Sequence, residues 1–552
     1  MTTLDAPAPP QIEAGERPSR EQLTRRRRVA LSALGLIAAG LVTAAVLLAS
    51  GSGVTPPATG AAAVVPADAL AYVNVSTDRA RSAVEDSLAR ARRLPTYPIA
   101  SGAVASWLGS AMGSSTPVDF ASDIRPWLGN EAALAVLDTT SSTAGTLIVL
   151  DVTDRTKARS FLTRAGATAE GGYRGATLLR TPPGTTFAFS GHFLMFGQDA
   201  SVRAALDVVA GAAPSLADSA TYRAAATGEP AGRVLDAYAS AAGVQRVLAS
   251  QSGAVGALGA LLDQPALQAV TISLSPSPSG AAMQVHSTFD PALSRLRGSA
   301  GSFDPSLQRT VPAGSALLLD VAGLARVAPR VLSAGAAAGV GGGVGPLLSR
   351  LGSALKAEGV NVPSLLSLFG GETAVAIGGG PTGTSPGLIV VTRTAHPAQA
   401  RAALASLEVP LAQLFAAPSA GPGTAPEFND TTIDGVTAHR LDLTPGLQLD
   451  YAVFRGLVVF STSLSSLQSV IEHRGAVADD PAYRAVAGPP KRVTSLLFLD
   501  LRQLLSLGEQ MGLTQSAPLQ ALMPDLARVR AVGMSSMGGE DDSTAELTLQ
   551  FQ

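Results

Sequence analysis

The chain has 552 residues, of which 46% are hydrophobic and 15% charged, and its net charge is −2. A chain of this length can form two to four domains with cores of their own, and its apolar content excludes a disordered protein. The near-neutral charge offers no basic field for nucleic acid. Cysteine is absent, which excludes disulfides, thiolate metal sites and cysteine nucleophiles.

The N-terminal part of the sequence predicts a membrane anchor. Residues 1–28 are rich in proline and charge, which predicts a disordered tail that ends in the cluster Arg25–Arg28. Residues 29–49, "VALSALGLIAAGLVTAAVLLA", are uncharged, and a helix of this length spans about 31 Å, close to the hydrocarbon thickness of a bilayer. A cleavable signal peptide has an apolar stretch of only about 7–15 residues, so we expect a retained transmembrane helix. The positive-inside rule places residues 1–28 in the cytoplasm and the rest outside.

After a flexible tether predicted over residues 50–64, the sequence repeats itself. Seven pairs of similar segments recur in the same order, 241 to 264 residues apart. They include "VPADALAYVNV" (65–75) with "VPAGSALLLDV" (311–321), "LGNEAALAVL" (128–137) with "FGGETAVAIG" (369–378), and "LADSATYRAA" (216–225) with "VADDPAYRAV" (477–486). A constant order predicts two copies of one unit, over 65–290 and 311–552, joined by a linker at 291–310.

Each unit alternates apolar runs with segments of helical period, which predicts an α+β fold. The runs 131–137 and 146–152 are joined by small polar residues, as in a hairpin, and the final strands alternate apolar and polar residues. Helix 201–210 carries one apolar stripe, made of Val202, Ala205, Leu206 and Val209. We therefore expect a mainly antiparallel sheet with helices on one side, built twice. No further domain is expected after the last strand.

This combination resembles a bacterial family catalogued as a domain of unknown function, whose members have an N-terminal anchor and an exported region. The resemblance is carried by "VPADALAYVNV", by the strands "LGNEAAL" and "FGGETAV", and by "LADSATYRAA" and "VADDPAYRAV", and it covers residues 65–552. The family has no established activity, so the resemblance implies no site residue and no cofactor.

The repeated segment "LADSATYRAA" is predicted to be a scaffold element. Asp218 and Asp479 lie where a helix N-cap is expected, four residues before Tyr222 and Tyr483. In such a short helix the tyrosine packs on the sheet, while the arginine that follows it in each copy points outward. We expect its mutation to lower stability before it affects any specific function.

Two serine motifs fit catalytic patterns only in part. "GTSPG" places Ser385 in a nucleophile-elbow pattern, which needs a strand before the serine and a helix after it, but here a strand follows. "SALK" joins Ser353 to Lys356 as in penicillin-recognising enzymes, but the companion K-T-G and S-D-N motifs are missing. A hairpin turn and a solvent-facing helix explain these two motifs better.

The five histidines lack the spacing of a metal site, which favours surface or structural roles. We place His286 on the polar face of its strand opposite Thr548, and His396 before a helix that starts at Pro397. The other three histidines are His192, His439 and His473.

Acidic and glycine-rich stretches supply the last candidates. Glu540, Asp541 and Asp542 lack the ligand ladder of a calcium loop and are read as a solvated turn. Residues 331–349 are uncharged and glycine-rich, which predicts a helix ending in a mobile apolar loop that could cover a ligand. Glu131 and Glu372 are paired acids at matching strand starts, and an edge or capping role is preferred to acid–base catalysis.

Two classes of function remain open. The first is a non-catalytic binding or scaffold protein of the cell envelope, anchored in the membrane, with a variant in which it holds an apolar ligand such as a lipid. The second is an envelope hydrolase whose site is assembled between the two units. We assign no catalytic, cofactor-binding or metal-binding residue, and the expected partners are the membrane and an envelope protein or lipid, not nucleic acid.

Overall fold

The fold was analysed in a computed structural model. It describes residues 55–91, 102, 106, 108–112, 118–137, 145–182, 184–248, 266–277, 280–294, 301–323, 369–379, 386–414, 427–444, 447–488, 491–510, 526–539 and 541–551. No helix within these ranges is long and apolar enough to cross a membrane. The predicted tail and transmembrane helix, residues 1–28 and 29–49, lie outside the described residues.

Within the described ranges twenty strands form one sheet, and every pairing between them is antiparallel. The first half contains β1 (Ala69–Ser76), β2 (Leu128–Leu137), β3 (Gly145–Val152), β4 (Thr168–Tyr173), β5 (Ala176–Arg180), β6 (Thr186–Ser190), β7 (Phe193–Gly197), β8 (Leu235–Ser240), β9 (Leu267–Pro276) and β10 (Gly280–Phe289). The second half contains β11 (Ser315–Ala322), β12 (Glu372–Gly379), β13 (Pro386–Arg393), β14 (Phe428–Ile433), β15 (Val436–Thr444), β16 (Leu447–Phe454), β17 (Leu457–Ser461), β18 (Ser495–Asp500), β19 (Val529–Gly538) and β20 (Asp542–Phe551).

The strand order is the same when the sheet is read from either end. The pairings give β4-β5-β6-β7-β3-β2-β1-β8-β9-β10 and then β20-β19-β18-β11-β12-β13-β17-β16-β15-β14. The two halves meet where β10 pairs with β20, with Gln284 opposite Glu546 near the middle of the ladder. The predicted hairpin is also present, since Ala132 of β2 faces Leu150 of β3.

The helices pack on this sheet in similar positions in the two halves. They are α1 (Ser82–Ala91), α2 (Arg155–Arg164), α3 (Asp199–Val209), α4 (Ala220–Ala225), α5 (Ala241–Gly243), α6 (Pro291–Ser294), α7 (Pro397–Leu414), α8 (Leu464–Ile471), α9 (Pro481–Ala487) and α10 (Leu501–Gln510). α3 contacts β3, β6 and β7, and α8 contacts β13, β16 and β17. α4 contacts β8, β9 and β10, and α9 contacts β18, β19 and β20. The mainly antiparallel sheet packed with helices is confirmed.

The expectation of helices on one side of the sheet is wrong. Val149 of β3 packs in the same core cluster as Val202 of α3, whereas its neighbour Ile148 packs in another cluster with Phe161 of α2. Because successive side chains of a strand point to opposite faces, α2 and α3 cover opposite faces. The unbroken apolar run of β7, "FLMF", is buried throughout and is the sequence signal of a strand covered on both faces.

The apolar stripe of α3 is displaced by one residue from the prediction. Val202, Ala205 and Leu206 are buried as expected, and Val208 is buried with them. Val209, by contrast, is 44% exposed. The helix ends at Val209, and Gly211 has φ +72°, so the last turn faces solvent as the chain leaves the sheet.

Candidate functional site

The segment before β1 is bound to the sheet by buried polar side chains. The Arg81 guanidinium donates hydrogen bonds to the Thr55 carbonyl from Nε (3.0 Å) and Nη2 (2.8 Å), and Asn74 Nδ2 donates to the Ala58 carbonyl (2.9 Å). The Ala61 amide donates to Glu131 Oε2 (3.2 Å), and Ala61 has no exposed surface. Residues 55–64 therefore lie on the sheet and differ from the flexible tether expected there.

Behind this segment lies a group of buried charges. Asp236 of β8 and Glu229 both form ion pairs with Arg233, at 3.2 and 3.1 Å, and all three side chains are almost fully buried. Burial raises the pKa of Glu229 to about 7, with a further contribution from Asp236. Burial also raises the pKa of Asp236, while Arg233 opposes the rise. A pair of acids sharing one cation holds this corner of the sheet together.

Glu372 caps the segment before β11. The carboxylate accepts hydrogen bonds from the amides of Ser306 and Leu307 and from Ser306 Oγ, and it pairs with Arg393 Nε at 2.9 Å. Ser306 precedes the 3₁₀ turn Leu307–Arg309, so the carboxylate satisfies the free amides at the start of that turn. Glu131 does the same for the 3₁₀ turn Gly60–Ala63. The preferred capping role of the two glutamates is confirmed.

Asp320 is the most unusual buried group in the second half. The residue lies on β11 with no exposed surface, and its carboxyl group makes no hydrogen bond of normal geometry among the described residues, although it interacts with the nearby Glu372 side chain. Burial raises its pKa to about 8, with a further contribution from the nearby Glu372 carboxylate. We infer that Asp320 is protonated at neutral pH. Asn74 has the corresponding place on β1, two residues before the strand ends.

The repeated segment is a scaffold element, with a corrected cap. The Leu216 amide donates to the Val65 carbonyl (2.7 Å), and the Val477 amide donates to the Val311 carbonyl (3.0 Å). Asp218 and Asp479 are not the helix N-caps as predicted; those caps are Ser219 and Asp480. In each copy the three residues that end at the predicted cap form a 3₁₀ turn, so the cap of the α-helix lies one residue later.

The tyrosines of the repeated segment pack on the sheet as predicted. Tyr222 meets Tyr72 and Tyr238 edge-on, with ring centroids 6.1 and 5.2 Å apart. Tyr483 meets Phe498 edge-on at 5.3 Å. The arginine that follows each tyrosine is exposed, so both copies use the same side chain for packing and the same one for solvent. The structure gives these tyrosines a packing role.

The histidines occupy separate places. His286 Nδ1 lies 3.0 Å from Thr544 Oγ1, because Thr544 and not Thr548 is opposite it. His396 precedes α7, and its carbonyl accepts from the Ala400 amide. His192 is exposed against Phe193, and His473 Nε2 lies 2.7 Å from Arg455. Within the described ranges no group of acidic and histidine side chains could hold a metal ion.

His439 belongs to a small cluster that the sequence did not predict. Its Nδ1 lies 2.8 Å from Asp430 and 3.2 Å from Glu408, and its ring stacks on Tyr451 with a centroid distance of 4.5 Å. The Tyr451 hydroxyl donates to Glu408, and burial together with that carboxylate raises the pKa of Tyr451. These contacts hold α7 against β14, β15 and β16.

Several predicted candidates lie outside the described residues: Ser385, Ser353, Lys356, Glu540 and the stretch 331–349. Of the acidic turn, Asp541 accepts hydrogen bonds from the Phe289 amide (2.8 Å) and from Ser294 Oγ (3.3 Å), and Asp542 begins β20. These contacts fit a turn that joins β19 to β20.

An open cleft of about 530 Å³ lies beside the first copy of the repeated segment. It is lined by Ala63, Val208, Gly211, Ala212, Ala213, Pro214, Ser215, Ala217 and Asp218. Its volume is in the range of small-molecule sites, and its lining residues are mostly small, but more of the surface that they expose to the cleft is polar than apolar. The Asp218 carboxylate is oriented there by Ser215 Oγ at 2.6 Å.

Sequence reasoning missed the buried polar residues Arg81, Asn74, Asp236 and Asp320. The available signal was a polar or charged residue inside an otherwise apolar strand, as in "ALAYVNVS" and "SALLLDVA". Such residues are rarely buried unless they are paired or protonated.

A family model described as "Protein of unknown function (DUF3352)" matches residues 29–552. The chain belongs to the DUF3352 family. No curated protein matches it. Solved structures of TP0453 in crystal forms IV and III are similar at 10% and 12% identity, covering 42% and 47% of this chain and 83% and 90% of theirs. Their TM-scores are 0.24 and 0.23, too low to support an argument about fold or function in DUF3352.

Proposed function

We propose that this DUF3352 chain is a single-pass membrane protein of the cell envelope whose exported part is a non-catalytic binding or scaffold domain. Residues 29–49 are the proposed anchor, with residues 1–28 in the cytoplasm. The observation that carries the proposal is the continuous sheet, in which β10 pairs with β20. Twenty strands at about 4.8 Å spacing give a contour of roughly 90 Å, an extended surface suited to holding partners.

We further propose that the exported part arose by duplication, with one unit over 65–290 and the other over 311–552. The mirrored strand order supports this, as does the capping of a 3₁₀ turn by Glu131 in one half and by Glu372 in the other. Because the paired acids of the duplicated unit cap turns, they fit a structural role in a scaffold better than a role as a catalytic pair.

The apolar-ligand version of this proposal uses the cleft beside Ala213. Full-length chain would be purified in a delipidating detergent and analysed for retained lipid by native mass spectrometry. Ala213→Trp would obstruct the cleft, and Ala405→Trp at an exposed position of α7 serves as the matched control. We expect a bound apolar molecule to be lost only with Ala213→Trp. Equal retention in both variants would refute this ligand site.

Membrane anchoring is tested by alkaline extraction of membranes from cells that express the chain. The full chain should stay with the membranes, and a variant lacking residues 29–49 should not. The alternative, an envelope hydrolase with its site between the halves, is tested in the same preparation with serine-hydrolase and glycosidase probes. Covalent labelling of the chain by either probe would favour that alternative over the scaffold.

A further inference from the structure

The docked segment enters the sheet from one end. Thr55 is held by Arg81, which lies five residues past the C-terminal end of β1, and Ala58 is held by Asn74 within β1. The chain then turns where Pro66 bridges to Ser215, and β1 starts at Ala69. The Ala61 amide still lies at this end, since its acceptor Glu131 is opposite Ser76, the last residue of β1. Residues 55–61 thus lie over the C-terminal end of β1, and the chain arrives at this end of the strand.

Docking shortens the connection to the proposed anchor. Six Cα steps separate residue 49 from Thr55, and an extended chain covers at most about 3.6 Å per residue, or roughly 22 Å in total. A free tether up to residue 64 would reach roughly 54 Å by the same arithmetic. The docked segment therefore keeps the C-terminal end of β1 close to the membrane surface.

We propose that residues 55–64 orient the exported sheet on the bilayer, with the C-terminal end of β1 facing the lipid headgroups. This inference rests on the proposed anchor at residues 29–49. The membrane-facing rim consists of residues 77–81, 125–130 and 152–155, which are loops and the adjoining ends of β2, β3 and α2.

Hydrogen bonds hold this membrane-facing rim together. The Thr77 amide donates to the Asn130 carbonyl at 2.9 Å, and the Thr153 amide donates to the Trp127 carbonyl at 2.9 Å. Arg81 Nη2 also donates to the Arg233 carbonyl at 2.8 Å, which ties the docked segment to the start of β8. The rim carries charges of both signs, among them the half-buried Asp78 and the exposed Arg79, which suits contact with polar headgroups and not insertion into the hydrocarbon.

The test uses two positions at opposite ends of β1, the exposed Asp68 and the half-buried Asp78. Asp78 follows the strand and Asp68 precedes it, and an intervening strand of about 3.3 Å per residue separates them by roughly 25 Å. Because the chain has no cysteine, Asp78→Cys and Asp68→Cys each give one labelling site. Labelled full-length chain is reconstituted into vesicles of phosphatidylcholine and phosphatidylglycerol that contain an acceptor-labelled headgroup, and energy transfer is measured.

We expect transfer from position 78 to be about twofold or more above transfer from position 68, because of the roughly 25 Å difference in height. Inserting ten Gly-Ser residues between residues 52 and 53 leaves the described chain untouched and should reduce transfer from position 78. Arg81→Ala should reduce it as well, by releasing Thr55. Equal transfer from both positions, or no effect of the insertion, would overturn the inference. Failure of the chain to float with the vesicles would instead refute the anchor itself.

Discussion

Replacing Asp320 by Asn should remove the contribution of one titrating carboxyl group to the pH dependence of the free energy of unfolding. The unfolded chain loses the Asp320 proton near pH 4, whereas the folded chain keeps it up to about pH 8. The folded state therefore binds more protons between these values, and its stability falls as pH rises by about 1.4 kcal/mol per pH unit. The contribution of Asp320 to the free energy of unfolding is fully present below pH 4, and about 5 kcal/mol of it is lost by pH 8.

The Asn variant has no proton to lose at this position. Asn74 shows that the fold accepts an amide at the corresponding place, where it donates to the Ala58 carbonyl. Asp320→Asn should therefore fold, and its advantage over the natural chain should grow from pH 5 to pH 8 by about 4 kcal/mol. Exposed Asp68→Asn is the control and should follow the natural chain at every pH.

The assay is urea unfolding of the full chain in detergent at pH 5, 6, 7 and 8, followed by circular dichroism. The quantity compared is the slope of the unfolding free energy against pH. Glu229, whose pKa is raised to about 7, adds a slope of the same sign in both proteins and cancels in the difference. Parallel curves for Asp320→Asn and the natural chain would show that Asp320 is ionised in the folded state and refute the reasoning.

Three further stability predictions use thermal and urea unfolding. Glu372→Ala should lower the free energy of unfolding by about 3 kcal/mol because it leaves buried amides without an acceptor. Glu131→Ala should lower it by less because fewer donors bind Glu131. Equal losses would contradict the capping role. Tyr222→Ala should lower stability by about 2 kcal/mol through lost contacts with two tyrosines while partner binding is kept, and the reverse pattern would assign it to a binding site. Gly243→Ala should cost about 2 kcal/mol, since its Cβ would lie 1.8 Å from the Leu70 carbonyl; Gly301→Ala, which meets nothing within 4 Å, should stay within about 0.5 kcal/mol.

The sequence predicted those features of the fold that depend on local patterns. The alternation of strands and helical segments identified the hairpin of β2 and β3 and the packing of Tyr222 and Tyr483 on the sheet. It misplaced the N-cap by one residue, because Ser219 and the preceding Asp218 are both good capping residues. A local pattern cannot choose between two such neighbours when a 3₁₀ turn decides the start of the helix.

The features that the sequence did not predict depend on contacts between distant segments. The pairing of β10 with β20 joins strands more than 250 residues apart. The residue pattern of a strand does not indicate which other strand it pairs with. The docking of Thr55 depends on Arg81. In the sequence this arginine cannot be distinguished from a surface arginine, because the carbonyl groups that it binds come from distant segments. The acids Asp236 and Asp320 were visible as polar residues in apolar strands, but their protonation and pairing follow from the environment that the fold creates.

The central claim is that a retained anchor holds the sheet outside the membrane, and the most direct test is to measure on which side of the membrane each part of the chain lies. Asp68→Cys and Ala14→Cys give single thiols in the exported part and in the N-terminal tail. Intact cells that express each variant are treated with a membrane-impermeant maleimide before and after lysis. We expect labelling of position 68 in intact cells and labelling of position 14 only after lysis. Labelling of position 14 but not 68 in intact cells, or protection of both, would contradict the proposed topology.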